Sequence, residues 1–208
     1  MTFEEFQARI AAVPETKGMA YTAAALWLHP FCLPAGLLSV RNVKTEIVRI
    51  PEKIVNSEGY AVPVIGAAAG ALAQNENMTD LVLPRTWGAQ LYNTVLKGCG
   101  KLKRMTFPKS IRRVSERAFC DCVDLEDIYY EGSEEEWGEI QLVRPKYRPV
   151  DECVIGFFAK VWNKPILGDP AFLNATVHFN CKCDPPPEVP DDVRKNQFLH
   201  CDGKNVKA

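Results

Sequence analysis

The sequence lacks a dominant charge and a cationic leader. Its 25 lysines and arginines nearly balance 26 acidic residues, which leaves a net charge of −1. No basic surplus therefore indicates nucleic-acid binding, and no acidic tail indicates disorder. The opening residues, MTFEEFQARI, place no cationic stretch before an apolar run, so we expect no secretory leader. That expectation predicts a cytoplasmic location for the chain as written.

A long uninterrupted apolar run is also missing. The most apolar window, MAYTAAALWLHPFCLPAGLL at 19–38, contains His29, Pro30 and Pro34. A helix that spans a bilayer needs about 20 consecutive apolar residues, and polar or helix-breaking side chains are rare within it. The window therefore favours a buried helix and turn over a membrane span.

Residues suited to catalysis are scarce. The three histidines, at 29, 178 and 200, are far apart, and no Ser/His/Asp or Cys/His set is legible. The stretch KGCGK at 97–101 resembles a phosphate-binding loop, but Val95 stands where a glycine is required and Leu102 where Ser or Thr is required. A repeat turn is the better interpretation, and we expect neither an enzyme nor a cofactor.

The acidic cluster SEEEW at 133–137 has a structural explanation. Paired carboxylates can do acid–base chemistry, but no nucleophile, base or metal ligand accompanies these. Ser133 and Glu136 match a capping box, and acidic residues favour the first turn of a helix. We therefore expect a short helix to begin here, with Trp137 and Ile140 packed inward.

The eight cysteines are expected to be thiols, because without a leader the compartment is reducing. Two Cys-x-Cys pairs, 120/122 and 181/183, and the dipeptide His200-Cys201 could supply metal ligands. Zinc sites usually show Cys-x-x-Cys spacing, so we expect no metal site, with zinc in the tail as the alternative.

One ten-residue phrase recurs along the chain. MTDLVLPRTW begins at 78, LKRMTFPKSI at 102 and LEDIYYEGSE at 125, so the steps are 24 and 23 residues. A period in the twenties indicates a solenoid, in which one unit cannot bury its apolar face alone. The aligned copies predict three buried columns: Met78, Leu102, Leu125; Leu81, Met105, Ile128; and Leu83, Phe107, Tyr130.

The phrase extends in both directions. Apolar pairs at 71–72, 95–96 and 118–119 precede each copy, and Asn75, Cys99 and Cys122 share one turn position. TEIVRIPEKI at 45–54 is a fainter first copy. The period-two alternation in LKRMTFP predicts a half-buried strand, and SIRRV at 110–114 predicts a second short strand on the opposite side.

This pattern resembles the BspA-like class of leucine-rich repeat proteins, a bacterial family. The resemblance rests on the phrase L-x-x-[LIM]-x-[LFY]-P, on AFCDCVDLEDI, and on IYYEGSEEEWGEI, which looks like a last full repeat with its short capping helix. LNATVHFN at 173–180 looks like the closing strand, and the match covers roughly 45–180.

The resemblance implies an α/β repeat fold: a leucine-rich repeat solenoid with parallel strands, short helices or turns, and an N-terminal helical cap. We expect three segments, which are a helical cap at 1–40, the solenoid at 41–180, and a proline-rich linker with a polar tail at 181–208. Thr2 and Glu5 form a capping box that begins the cap.

The function implied is non-enzymatic protein binding in recognition or adhesion, and the family resembled is typically at the cell surface. The partner expected is a protein, with neither nucleic acid nor a membrane span. The alternative is a structural or self-assembling module of a larger bacterial or phage assembly, in which the chain associates with itself.

Two outward columns of the repeat suggest where a partner binds. One column carries alternating charges that should pair along the sheet: Asp80, Arg104, Asp127. The next column is uncharged and ends in an aromatic residue, the type enriched at interface hot spots. The predicted ligand-contacting face comprises that column and two neighbouring cations: Val82, Arg85, Thr106, Lys109, Tyr129. The alternative is that residues 1–40 or 141–170 fold over the stripe.

Overall fold

The computed structural model describes residues 1–13, 21–28, 31–38, 45–55, 61–67, 71–91, 95–115, 117–143, 170–183 and 198–199. The strands in these ranges are β1 (Tyr21–Leu28), β2 (Phe31–Leu38), β3 (Ile47–Arg49), β4 (Lys53–Val55), β5 (Ala61–Ala67), β6 (Asp80–Val82), β7 (Gln90–Leu91), β8 (Arg104–Phe107), β9 (Arg113–Ser115), β10 (Asp127–Tyr130), β11 (Gln141–Val143), β12 (Thr176–His178) and β13 (Phe198–Leu199). The helices are α1 (Phe3–Ala11), α2 (Glu134–Gly138) and α3 (Pro170–Asn174).

The front sheet consists of five parallel strands in the order β12-β10-β8-β6-β3, one from each copy of the repeat and the closing strand. The middle column lies in register across it: Val48, Leu81, Met105, Ile128, Val177. All nine residues of the predicted columns are buried in one core. The predicted repeat register, the faint first copy and the closing strand are therefore confirmed.

The back sheet consists of three parallel strands in the order β11-β9-β7. Its strand β9 confirms the second short strand predicted over SIRRV, and β7 and β11 are the equivalent strands of the coils on either side. Leu91 and Val114 lie in register and are almost fully buried in the same core as the front-sheet columns. Leu142 continues this column on the edge strand β11 but is 46% exposed.

The turns that join the coils are stabilised by buried thiols. The Cys99 thiol donates to the Leu72 carbonyl at 3.0 Å, and the Cys122 thiol donates to the Leu96 carbonyl at 3.1 Å. Each bond ties one coil to the coil before it. Both cysteines are thiols, as the shared turn position predicts, and they are not joined to each other.

A left-handed residue precedes this position in three successive coils. Gln74, Gly98 and Asp121 have φ of 59°, 77° and 67°, and they are again 24 and 23 residues apart. A left-handed backbone at a fixed position closes a tight turn, and glycine adopts it at the lowest cost. This requirement explains Gly98, the first glycine of KGCGK, without any phosphate-binding role.

The apolar window at 19–38 corrects one prediction. We expected a buried helix and turn, but β1 and β2 are eight-residue strands that pair antiparallel, and β2 continues in parallel with β5. A continuous apolar run does not distinguish a buried helix from a buried strand. Pro34 would remove a backbone hydrogen bond from a helix interior, whereas in β2 it lies where the strand pairs with β1, before the pairing with β5 begins at Gly36.

Both predicted capping boxes are present. In α1 the Thr2 hydroxyl accepts from the Glu5 amide at 3.2 Å, and the Glu5 carboxylate accepts from the Thr2 amide at 2.9 Å. Ser133 and Glu136 make the same pair of bonds at the start of α2. No helix among the described ranges is long and apolar enough to cross a membrane.

The C-terminal end of the described coils is covered by Phe172 from α3. Its ring stacks on Phe119 at 4.8 Å and lies 5.5 Å from the ring of Trp137. Trp137 and Ile140 are partly buried against the core, as predicted. His29, His200 and most of the 181–208 segment lie outside the described residues, and the division into three segments stays a proposal.

We predict that Leu102→Ala lowers the free energy of unfolding by roughly 2–5 kcal/mol, because it empties a fully buried site in the core. The neighbouring Lys101 is exposed, so Lys101→Ala should change it by less than about 0.5 kcal/mol. Urea denaturation measures both values, and equal losses would contradict the register.

Cysteine labelling tests the turns. Burial raises the pKa of Cys99 to about 11, so its thiol stays protonated at about pH 8. Iodoacetamide followed by mass spectrometry should leave Cys99 unmodified in the folded protein and modify the half-buried Cys120. Equal labelling of both cysteines would contradict this description.

Because the folded pKa of Cys99 is raised, the stability that Cys99 contributes is present below its ordinary pKa of 9.0 and is lost as pH rises towards about 11.

Candidate protein-binding face

Helix α1 lies across the outward face of the front sheet. Phe6 and Ile10 are one turn apart on the helix and are buried in a cluster with Ile47, Val82 and Tyr129. These sheet residues come from β3, β6 and β10, so the helix crosses the strands rather than following one of them. The predicted ligand-contacting face is therefore the surface on which α1 packs.

Tyr129 is at the centre of this contact and is 0% exposed. Its ring stacks on Phe6 at 4.5 Å and on His178 at 4.9 Å, and its hydroxyl donates to the Met1 carbonyl at 3.0 Å. Burial, with the nearby charge of Asp127, raises the pKa of Tyr129 well above its ordinary value. The prediction that Tyr129 is exposed is wrong, and of the alternative, that residues 1–40 fold over it, the structure shows the part that involves residues 1–13.

Two further members of the predicted face are also buried. Val82 is 3% exposed and packs in the cluster under α1, whereas Thr106 is 5% exposed. The Thr106 hydroxyl accepts from the Leu83 amide at 2.8 Å, so it stabilises the end of the neighbouring strand. Val82 is covered by α1, and Thr106 is buried with its hydroxyl bonded to the neighbouring strand, so the prediction of an exposed stripe is wrong for both.

The two flanking cations differ from each other. Arg85 is partly buried, forms an ion pair with Glu131 at 3.3 Å, and donates to the Cys183 carbonyl. Lys109 is exposed. Of the five predicted face residues, Lys109 alone is exposed, and it lies beside the covered stripe in the turn that follows β8.

The charged column is confirmed in register: Asp80, Arg104 and Asp127 lie side by side on adjacent strands. Asp80 is fully buried and accepts from Arg104 Nη2 at 3.2 Å, from the Thr79 hydroxyl at 2.6 Å and from Arg9 Nε at 3.0 Å. Burial raises the pKa of Asp80, but the hydrogen bonds from Arg104 and Thr79 outweigh it and lower the pKa below its usual value. Asp80 is therefore a carboxylate under α1.

Asp127 pairs with the adjacent strand β12 and with the N-terminus, whereas Arg104 of the predicted column pairs with Asp80. Its carboxylate oxygens contact His178 Nε2 at 2.7 Å and the Met1 amine at 3.4 Å. The ion pairs that fasten the helix thus lie at two places, with Asp127 near its beginning and Asp80 near its end.

Arg49 also fastens the C-terminal end of α1, and the sequence analysis missed it. Its guanidinium is 5% exposed and donates from Nη1 to the Ile10 carbonyl at 3.1 Å. A cation at a helix C-terminus satisfies a terminal carbonyl and interacts favourably with the helix dipole. The signal was available in the repeat, because Arg49 occupies the same outward column as Val82.

The described residues bring together no group of three or more His, Cys, Asp or Glu side chains that could hold a metal ion. The pair His178 and Asp127 has Tyr129 as its stacked neighbour, and the tyrosine hydroxyl is already bonded to the Met1 carbonyl. The chemistry of this face is that of a contact surface, made of aromatic stacking and ion pairs.

Parallel strands of one repeat period, stacked in register around a single core, define a leucine-rich repeat solenoid. No protein-family model matches the chain, and no curated protein matches it. Among solved structures, the chain is similar to a leucine-rich repeat protein from T. pallidum, at 22% identity and a TM-score of 0.45 over 56% of this chain and 53% of that one.

It is also similar to a leucine-rich cell surface protein from Faecalibacterium prausnitzii A2-165, at 19% identity and a TM-score of 0.33 over 62% of this chain and 42% of that one. The chain spans about half the length of the proteins it matches. Because these superpositions are loose, the fold assignment rests on the strand order and register of this chain.

We predict that Asp80→Asn lowers the free energy of unfolding by on the order of 3 kcal/mol, because it removes one partner of a buried ion pair. The control is Glu126→Gln in the exposed pair with Lys103, which should cost under about 1 kcal/mol. Since the folded pKa of Asp80 is lowered, its stabilisation is present above the ordinary value of 3.8 and is lost as pH falls through the folded pKa. Denaturation at several acidic pH values measures this, and a variant as stable as the wild type would contradict the ion-pair description.

Proposed function

We propose that this chain is a non-enzymatic protein-binding module and that the outward face of the front sheet is its binding face. One observation carries the proposal: this face already receives an amphipathic helix, α1, through aromatic stacking and ion pairs. Laying the apolar stripe of a helix against a complementary surface is a recurring mode of protein recognition.

The repeat architecture supports the same conclusion. Inward columns hold the core, while outward columns present side chains side by side on adjacent strands. Outward residues can therefore differ between coils without changing the core, which suits a surface that recognises a partner. The resemblance to BspA-like proteins adds recognition or adhesion as the setting of this proposal. Val82 and Tyr129 stay within the proposed face and become accessible when α1 leaves it, and Thr106 lies on β8, between their strands.

Self-assembly is the second candidate, and exposed apolar side chains favour it. Leu142 on the edge strand β11 is 46% exposed, and Leu173 of α3 is 58% exposed. An edge strand with an apolar neighbour can pair with a second chain. Light scattering over a concentration series distinguishes the candidates, because self-assembly increases the mass with concentration and Leu142→Lys should abolish that increase.

A photo-cross-linking amino acid at position 109 tests the binding face. In an extract of the native host it should form an adduct with a partner protein, because Lys109 is exposed beside the covered stripe. The matched control is position 101, which is exposed at the other end of the same strand segment and should form no such adduct. The adduct is identified by mass spectrometry and its binding repeated with the purified partner. Adducts of equal yield at both positions, or none at 109, would contradict the proposed function.

A further inference from the structure

We propose that the partner presents a short amphipathic helix of the α1 pattern, and that α1 occupies the partner's place until the partner displaces it. This inference rests on the proposed function, since it names the class of partner for the same face. The pattern comprises two aromatic residues three apart, an aliphatic residue four positions later and a cation just before it, as in Phe3, Phe6, Arg9 and Ile10.

The first support is that α1 does not belong to the solenoid core. The buried core cluster contains no residue of 1–13, and α1 packs in a separate cluster on the outward face. The front-sheet strands bond to one another and enclose their own apolar columns. Removing α1 therefore leaves the core closed, and the helix can leave the face while the coils stay folded.

The second support is that the face retains partners for its charges when α1 leaves. Asp80 keeps its bonds to Arg104 and Thr79, and Asp127 keeps its contact with His178. A carboxylate buried without any partner would oppose undocking. These carboxylates have partners on the sheet itself. Replacing one helix by another on the face therefore leaves neither carboxylate without a partner.

The third support is the complementarity that selects the partner. Tyr129 provides a flat ring for the aromatic residues, and Phe3 and Phe6 lie 5.4 and 4.5 Å from it. Asp80 accepts from Arg9, and the Arg49 guanidinium binds the carbonyl at the helix end. A partner helix with a cation near its C-terminal end meets both requirements, whereas an acidic residue at the Arg9 position would face the Asp80 carboxylate.

The fourth support is the length of α1. A helix of nine residues is marginal on its own in water, so α1 depends on its contacts with the sheet for its structure. Because α1 belongs to the same chain as the face, its docking is intramolecular, and its effective concentration exceeds that of a dilute free peptide. A free helix therefore competes poorly with intact α1 and well with a weakened one.

The test uses a fluorescent peptide with the sequence of residues 1–13, MTFEEFQARIAAV, and the full chain. Fluorescence anisotropy should show the peptide binding Phe6→Ala at least about 10-fold more tightly than the wild-type chain, because the variant loses the stack that holds α1 in place. Glu4→Ala, an exposed position on the same helix, should bind like the wild type. A peptide that itself carries Phe6→Ala should not bind any of the three chains.

Hydrogen exchange on the wild-type chain supplies a measurement that needs no variant. The amides of α1 should exchange much faster than those of β8 and β10, because α1 opens separately from the coils. Equal protection of α1 and these strands would overturn the proposal, since the helix would then leave only on global unfolding. Failure of the peptide to bind Phe6→Ala would overturn it as well.

The remaining outcomes are distinguishable. If the wild-type chain is a dimer and Phe6→Ala is a monomer, α1 of a second copy binds the outward face of the front sheet. That result would overturn the proposal of a separate helical partner. If the cross-linker at position 109 captures a protein but the peptide does not bind, the proposed function stands and the helix inference falls. If the peptide binds and no protein is captured, the face accepts helices and the proposed function falls.

Discussion

In-register pairing of one parallel strand per coil is the constraint on which the rest of the structure depends. A single coil has apolar side chains on its strands and no second layer that could cover them. Stacking at steps of 24 and 23 residues brings Leu81, Met105 and Ile128 side by side and closes one core. The thiol donors and the left-handed turn residues recur at the same steps, because each coil must end where the next coil begins.

This dependence explains how much of the structure could be predicted. A periodic core shows the same residue pattern in every copy of the repeat. The sequence alone therefore predicted the buried columns, the strands of the front and back sheets, and the turn cysteines. Docking of α1 is a single contact between distant segments and has no second copy to reveal it. The amphipathic pattern of Phe6 and Ile10 predicted the helix, but an apolar stripe does not name the surface that will cover it. The outward position of Tyr129 therefore predicts exposure, with cover by residues 1–40 or 141–170 as the alternative, and the structure places α1 over it.

The charges under α1 serve a different purpose from the apolar contacts. A buried ion pair is seldom more stabilising than apolar residues of similar volume, but it can specify one arrangement among several. Phe6 and Ile10 could pack on the sheet in more than one direction, since apolar contact is not directional. Asp80 accepts a hydrogen bond from Arg9, and the Arg49 guanidinium donates one to the Ile10 carbonyl. These two directional bonds fix the position of the C-terminal end of the helix on the face. The buried columns thus stabilise the solenoid, and the charged groups set the orientation of α1 on its face.

The separation of the two apolar clusters connects the fold with the function proposed for it. If α1 belonged to the solenoid core, every change on the outward face would change the stability of the coils. The outward cluster instead shares no residue with the core, although both are built from the same strands, because successive side chains on a strand point to opposite faces. Ile128 stabilises the solenoid, and its neighbour Tyr129 contacts the helix. One strand therefore supports the closed core with one face and the contact with α1 with the other, and the proposed exchange of helices would leave the core unchanged.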